Sequence, residues 1–196
     1  MNASTDDAPE VVLRTPRLVF RHWTPGDAAL AQALWGDPAV TQLVGGPFAA
    51  PVVAARLAHE IARQEAHGVS YWPMFLRADG AFAGCCGLRP CDSDDADLEL
   101  GFHLRPRCWG LGLADEAARG VIAHAFGTLG VRALFAGHHR DNEASARRLR
   151  ALGFRRTLDA FYAPTGRMHP SYLLAADAWR RARGDAPEGT DSPASA

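Results

Sequence analysis

The stretch Leu98-Glu99-Leu100-Gly101-Phe102-His103-Leu104-Arg105-Pro106-Arg107-Cys108-Trp109-Gly110-Leu111-Gly112-Leu113-Ala114 carries the decision about the fold. In its first half Leu98, Leu100, Phe102 and Leu104 alternate with Asp97, Glu99, Gly101 and His103, the period of a strand with one core face and one polar face. After Pro106 the alternation stops and two glycines follow. Then Ala114, Ala117, Ala118, Val121 and Ala125 recur at helical spacing, predicting a helix over about 113–126 whose small side chains let it lie close to a sheet. A strand, a glycine-bearing loop and a helix start leave unpaired amides at the positive end of a helix dipole, which suits a diphosphate. Gly-x-Gly by itself is more often just a turn. A dinucleotide fingerprint needs a third glycine where Asp115 stands, and the Gly-Lys-Ser/Thr of a nucleotide-binding P-loop occurs nowhere in the chain.

Working outward, Arg17–Trp23 alternates as a first strand. Thr24-Pro25-Gly26-Asp27 supplies a cap and a first-turn proline for a helix ending near Trp35-Gly36. Ala50–His67 repeats Val53, Leu57 and Ile61 at helical spacing and stops at Gly68. Residues 71–77 and 82–88 are apolar runs around Ala78-Asp79-Gly80-Ala81, a hairpin signal, with Pro73 expected to weaken or bulge the first run. Downstream, 131–137 reads as a strand, Asn142–Leu152 as a helix closed by Gly153, and 154–176 as two strands around Pro164-Thr165-Gly166-Arg167. The expected class is α/β (α+β), a mixed sheet of about seven strands with about four helices. The polar ends, 1–10 and 184–196, carry little to bury and are expected to be disordered, leaving one domain over 11–183.

Composition narrows the function. A formal net charge of -1 with dispersed arginines lacks the footprint of a nucleic-acid binder, and no apolar run approaches the roughly 20 residues of a membrane span. The start of the chain has no basic, apolar leader, so a cytoplasmic protein is expected. Cys85, Cys86, Cys91 and Cys108 form no Cys-x-x-Cys pair, and neither His138-His139 nor His59-Glu60-Ile61-Ala62-Arg63 has metal-ligand spacing, so no metal is expected.

Four segments in order resemble the GCN5-related N-acetyltransferases, the GNAT family, in particular the branch of ribosomal-protein alanine acetyltransferases. They are Leu13-Arg14-Thr15-Pro16-Arg17-Leu18 with Trp35-Gly36-Asp37-Pro38; Leu98–Phe102 with Pro106 and Trp109–Ala114, then Glu116-Ala117; Asp141-Asn142-Glu143-Ala144-Ser145; and Leu152-Gly153-Phe154. The resemblance covers about residues 13–175. It implies the GNAT fold, with a mostly antiparallel sheet and helices on both faces. It also implies transfer of an acetyl group from acetyl-coenzyme A to a primary amine, on a protein N-terminus or a small molecule, by direct attack in a ternary complex. Two departures stand out: Leu111 occupies a position often basic in the branch, and Pro73 sits where a regular strand residue is usual.

The resemblance further implies a coenzyme site of Phe102, His103, Leu104, Arg107, Trp109, Gly110, Leu111, Gly112, Leu113, Ala114 and Asn142, with catalytic roles at Glu99 and Ser145. Glu99 lies roughly 6 to 7 Å along the strand from Gly101 and is the candidate base, directly or through water; a surface carboxylate is its plain alternative. Asn142 resembles the residue that bonds the pantetheine arm and is equally a natural helix cap. Ser145 is the candidate to protonate the leaving thiolate, with Tyr162 a second possibility. Arg107 adds charge to the cradle, Trp109 fixes the loop, and Arg105, Arg140, Arg147 and Arg148 are open to other phosphates or to solvent. Cys108 is read as incidental, and Asp92, Asp94, Asp95 and Asp97 as a solvated run open to attracting a cationic amine. A non-catalytic acyl-coenzyme A sensor on the same fold is the alternative reading, and a homodimer is left open.

Overall fold

The computed structural model describes residues 9–93 and 96–184. Most of the two expected tails, and Asp94 and Asp95 of the acidic run, lie outside the described residues.

The strands are β1 (Val11–Arg14), β2 (Leu18–Arg21), β3 (Tyr71–Leu76), β4 (Phe82–Ser93), β5 (Ala96–Leu104), β6 (Ala133–Gly137), β7 (Arg155–Arg156), β8 (Ala160–Tyr162), β9 (Arg167–His169) and β10 (Ser171–Ala175). The helices are α1 (Ala28–Trp35), α2 (Pro38–Thr41), α3 (Ala50–His67), α4 (Leu113–Gly127), α5 (Glu143–Ala151) and α6 (Ala176–Arg183). Eight strands form the main sheet in the order β1-β2-β3-β4-β5-β6-β10-β7, and β8 pairs β9 separately. Every pairing in the main sheet is antiparallel except β5 with β6.

The α/β class with a mostly antiparallel sheet stands, at eight main-sheet strands rather than seven and six α-helices among the described residues rather than four. The excess has local causes. Pro170 separates β9 from β10, so residues 154–176 form four short strands, two joining the sheet and two making the hairpin. In α2, Pro38 follows the Asp37 cap, whose carboxylate accepts from the Ala39 amide, but four residues are too few to show a period. Pro73 does not break β3: β2 pairs β3 only from Phe20↔Met74 onward, so no β2 partner awaits the missing N–H. The expected bulge falls instead in β4, where Ala83 is the extra residue between Gly84↔Met74 and Phe82↔Phe75.

Because side chains alternate along a strand, the sheet feeds two cores. One face sends Trp72, Met74, Cys86, Leu88 and Leu100 against the small-residue stripe of α4, where Ala117, Ala118, Val121 and Ala125 are fully buried. The other sends Tyr71, Phe82 and Cys85 against α1 and α3, closed by Trp23, Leu34, Trp35 and Leu57. Helices therefore cover both faces. In β5 Leu100 and Leu104 are buried in the core, while Leu98 and Phe102, expected with them, are only partly buried, Phe102 because it lines an opening.

Candidate active site

β5 and β6 pair only at Leu98↔Leu134 and Glu99↔Phe135. Beyond that point β5 stays with β4 through Leu104, while β6 stays with β10 through Gly137. The two neighbours therefore part, and the wedge between them belongs to a cleft of about 660 Å³. Its wall includes Glu99–Leu104 of β5, Gly110, Gly112 and Ala114 at the start of α4, and Asn142 and Ser145 of α5. Tyr71, Arg89 and Arg56 reach the same cleft from β3, β4 and α3.

The loop before α4 has the geometry its glycines allow. Gly110 and Gly112 have φ of +75° and +73°, a left-handed conformation that costs a residue with Cβ. Gly112 caps α4 without a side-chain hydrogen bond, so the first-turn amides have no capping acceptor. The Trp109 indole N–H donates to the Leu104 carbonyl at 2.8 Å, tying the loop back to β5. The two first-turn carboxylates, which oppose an anion at this position, are each neutralised: Asp115 pairs with Arg119, and Glu116 accepts from the Thr15 hydroxyl and from the Arg17 amide and guanidinium. Burial pulls the Glu116 carboxyl upward, but those hydrogen bonds and the Arg17 charge hold it below the usual value. This clamp joins residues about a hundred positions apart, and no local pattern announces it.

The acetyltransferase (GNAT) domain model matches residues 17–155. The chain belongs to the GNAT acetyltransferase family. It is 26% identical over 167 residues to an uncharacterized N-acetyltransferase, p20, of Bacillus licheniformis, covering 83% of this chain and 94% of that protein. It is 28% identical over 148 residues to the uncharacterized N-acetyltransferase YoaA of Bacillus subtilis, covering 74% and 83%. Among solved structures, an acetyltransferase from Agrobacterium tumefaciens superposes with a TM-score of 0.72 at 23% identity, covering 89% of this chain and 99% of the other. RimL, a ribosomal L7/L12 alpha-N-protein acetyltransferase in complex with coenzyme A, does so with 0.72 at 17% identity, covering 86% and 99%. These two share the fold.

In this GNAT acetyltransferase, Glu99 is held from two sides. Arg89, opposite it in the β4–β5 register, donates Nε to Oε2 at 3.0 Å and Nη2 to Oε1 at 2.9 Å. The Tyr71 hydroxyl donates to Oε1 at 3.2 Å; burial and the neighbouring Glu99 charge push that phenol well above its usual value, so it stays a donor. Burial, with Arg56 and Arg89 close by, pushes the His103 imidazole down to about 3 and keeps it neutral. Cys85, 3.7 Å from His103 Nδ1, is likewise an unionised thiol, pushed up to about 12 by burial.

On the opposite wall the Asn142 Oδ1 accepts from the Ser145 amide at 3.0 Å, the expected cap, which leaves its NH₂ uncommitted by that bond. Ser145 is half-buried and lines the cleft with Tyr162. Phe102, His103, Leu104, Trp109, Leu113 and Ala114 line it too. Arg107 and Leu111 do not: Arg107 donates to the Phe82 carbonyl at 2.8 Å, and Leu111 is 55% exposed with its carbonyl bound by Arg17. Of the other arginines raised from sequence, only Arg148 lines the cleft, its guanidinium 5.7 Å from the Phe102 ring. Arg89 and Arg56 escaped the sequence reading, which ended β4 at Leu88 and so missed the register that brings Arg89 to Glu99. Among the described residues no group of three His, Cys, Asp or Glu side chains is disposed to hold a metal ion, and no helix is long and apolar enough to cross a membrane.

Proposed function

We propose that this acetyltransferase moves the acetyl group of acetyl-coenzyme A to a primary amine, of a protein N-terminus or a small molecule, by direct attack in a ternary complex. The work is done by one domain over residues 11–183 in the cytoplasm, a compartment in keeping with the buried, unbridged thiols of Cys85, Cys86 and Cys108. The observation that carries the reading is the wedge between β5 and β6 running into a glycine loop and an uncapped helix start. The wedge accommodates an extended pantetheine arm, and the loop's amides suit its diphosphate.

The chemistry follows from what faces the wedge. The amine forms a C–N bond to the thioester carbonyl while the C–S bond breaks, so one proton leaves nitrogen and one reaches sulfur. Because Arg89 and Tyr71 occupy the Glu99 oxygens, the proton passes to Glu99 through a water rather than by direct contact. Ser145 protonates the departing thiolate, with Asn142 setting the start of α5 beneath it. The names of structural neighbours, RimL and a putative ribosomal-protein-serine acetyltransferase from Vibrio cholerae, support protein α-amines as acceptors. An α-amine near pKa 7.7 to 8 also needs less deprotonation than a lysine.

The test follows free coenzyme A release across N-terminal peptides and small amines side by side. Glu99→Gln lowers turnover and removes the acidic limb of the pH–rate profile; an unchanged rate at every pH takes Glu99 out of the mechanism.

A further inference from the structure

Arg148 and Arg56 both line the cleft with no ion pair among the described residues; Arg148 lies over the Phe102 ring, and Arg56 is the one beside Tyr71 and His103. Arg56 projects from α3, is half-buried, lines the cleft, and makes no ion pair or hydrogen bond among the described residues. Its guanidinium carbon rests 4.5 Å from the centroid of the Trp35 ring, and Trp35 is fully buried. That contact holds the side chain in one place without using its fork of N–H donors.

A count of charge near Arg56 sharpens the point. Arg89 is balanced by Glu99 in a bidentate pair. Glu60, one turn further along α3, is balanced by Arg63 and by the Tyr71 amide. Of the other titratable groups near Arg56, His103 and Tyr71 face the cleft and Cys85 is buried behind them, and all three are in their neutral forms. One positive charge is therefore left over, partly withdrawn from water, in the region where Glu99 meets an incoming amine.

We propose that Arg56 is a specificity residue that binds a carboxylate of the acceptor, so that the acceptors this enzyme prefers carry a carboxylate close to the amine they present. The inference rests on the acetyl-transfer reading of the same cleft. A single unbalanced charge matches a monoanionic carboxylate, whereas a phosphate dianion would leave the pocket negative beside Glu99. The planar fork of a guanidinium fits a carboxylate through two parallel hydrogen bonds. Arg56 would hold the carboxylate of such an acceptor while its amine faces Glu99, an arrangement that neither a plain alkylamine nor a polyamine supplies.

The experiment compares matched acceptors with the full-length enzyme: amino acids against their amides and against the corresponding decarboxylated amines, and peptides with Asp or Glu at the first or second position against the same peptides with Asn or Gln. The expected result is a kcat/KM at least about tenfold higher for the carboxylate member of the pairs, from one charge-assisted bidentate contact. Arg56→Gln should reduce that ratio to near one, and Arg56→Lys should restore part of it. Whichever series shows the preference tells a free amino acid from an acidic N-terminus. Coenzyme A titration of each variant reports separately that the fold and donor groove are intact.

Equal rates for acid and amide, a preference that survives Arg56→Gln, or coenzyme binding with turnover of neutral amines alone would each overturn the proposal while leaving acetyl transfer standing. Absence of both coenzyme binding and turnover in the unmodified enzyme would overturn the acetyl-transfer reading, and the proposal with it.

Discussion

Replacing Gly101 by alanine tests whether the Glu99 neighbourhood is built as described. A Cβ at Gly101 would lie 2.2 Å from the Tyr71 Oη, 2.3 Å from its Cζ and 2.8 Å from its Cε2, far inside contact distance. Gly101 has no left-handed φ, so the substitution acts by crowding and not by backbone strain. Tyr71 is 3% exposed, packed beside His103 at 6.2 Å between ring centroids and under the Arg89 guanidinium at 5.6 Å, so it has little room to yield. Overpacking of this kind costs about 1–3 kcal/mol. For a chain of this length that corresponds to a Tm lower by about 2–12 °C. Moving the phenol also removes its hydrogen bond to Glu99, and kcat should fall about tenfold or more, since a bond to a charged group is worth about 1.5–3 kcal/mol. The decisive assay is a double-mutant cycle by thermal or urea unfolding. In a Tyr71→Leu background the new methyl meets no ring, so Gly101→Ala should cost at least about 1 kcal/mol less than in the parent. Equal costs in the two backgrounds, or a Gly101→Ala protein melting within a degree of the parent, would refute the packing argument.

Three further outcomes follow. Glu116 has a folded-state pKa below the ordinary 4.5, so the stability from its clamp with Thr15 and Arg17 is complete above that pH and is lost as pH falls through the lower folded value; Glu116→Gln should flatten the acid side of a plot of Tm against pH. Gly112→Ala, at φ +73°, should cost about 1–2 kcal/mol and weaken coenzyme A binding by calorimetry, whereas Gly127→Ala, with no neighbouring atom within 4 Å of the added Cβ, should leave binding alone and not lower Tm. Ser145→Ala should lower kcat by about ten- to a hundredfold with little change in the KM for acetyl-coenzyme A, in steady-state assays of thiol release.

Much of this molecule was legible because its signals are local. The strand at 98–104, the alanine stripe of α4, the Asn142 cap and the glycine stops need only neighbours in sequence, and each stands where the pattern put it, although Leu98 and Phe102 are only partly buried. Pairing across strands has no such local signature. Arg89 reaches Glu99 because β4 continues to Ser93, past Leu88 where the apolar run stops. Tyr71 reaches the same carboxylate from β3, one strand further away. Arg107 illustrates the converse: its place in the motif suggested phosphate, but a carbonyl on β4 lies nearer to hand. The short strands after Gly153 were merged because strands of two or three residues are too brief for a period of two to show.

The parting of β5 from β6 has an evolutionary consequence. Along Leu100–Leu104, alternate main-chain amides and carbonyls turn towards the opening instead of towards a neighbouring strand. Such groups are the same whichever amino acid bears them, so a donor recognised there is largely blind to mutation of the wall. Chains sharing 17% to 23% of their residues can then keep one architecture, with a TM-score of 0.72 in both instances. On the acetyl-transfer reading proposed above, change can concentrate around Arg56 and the β8–β9 hairpin, where side chains line the cleft, without altering that main-chain edge.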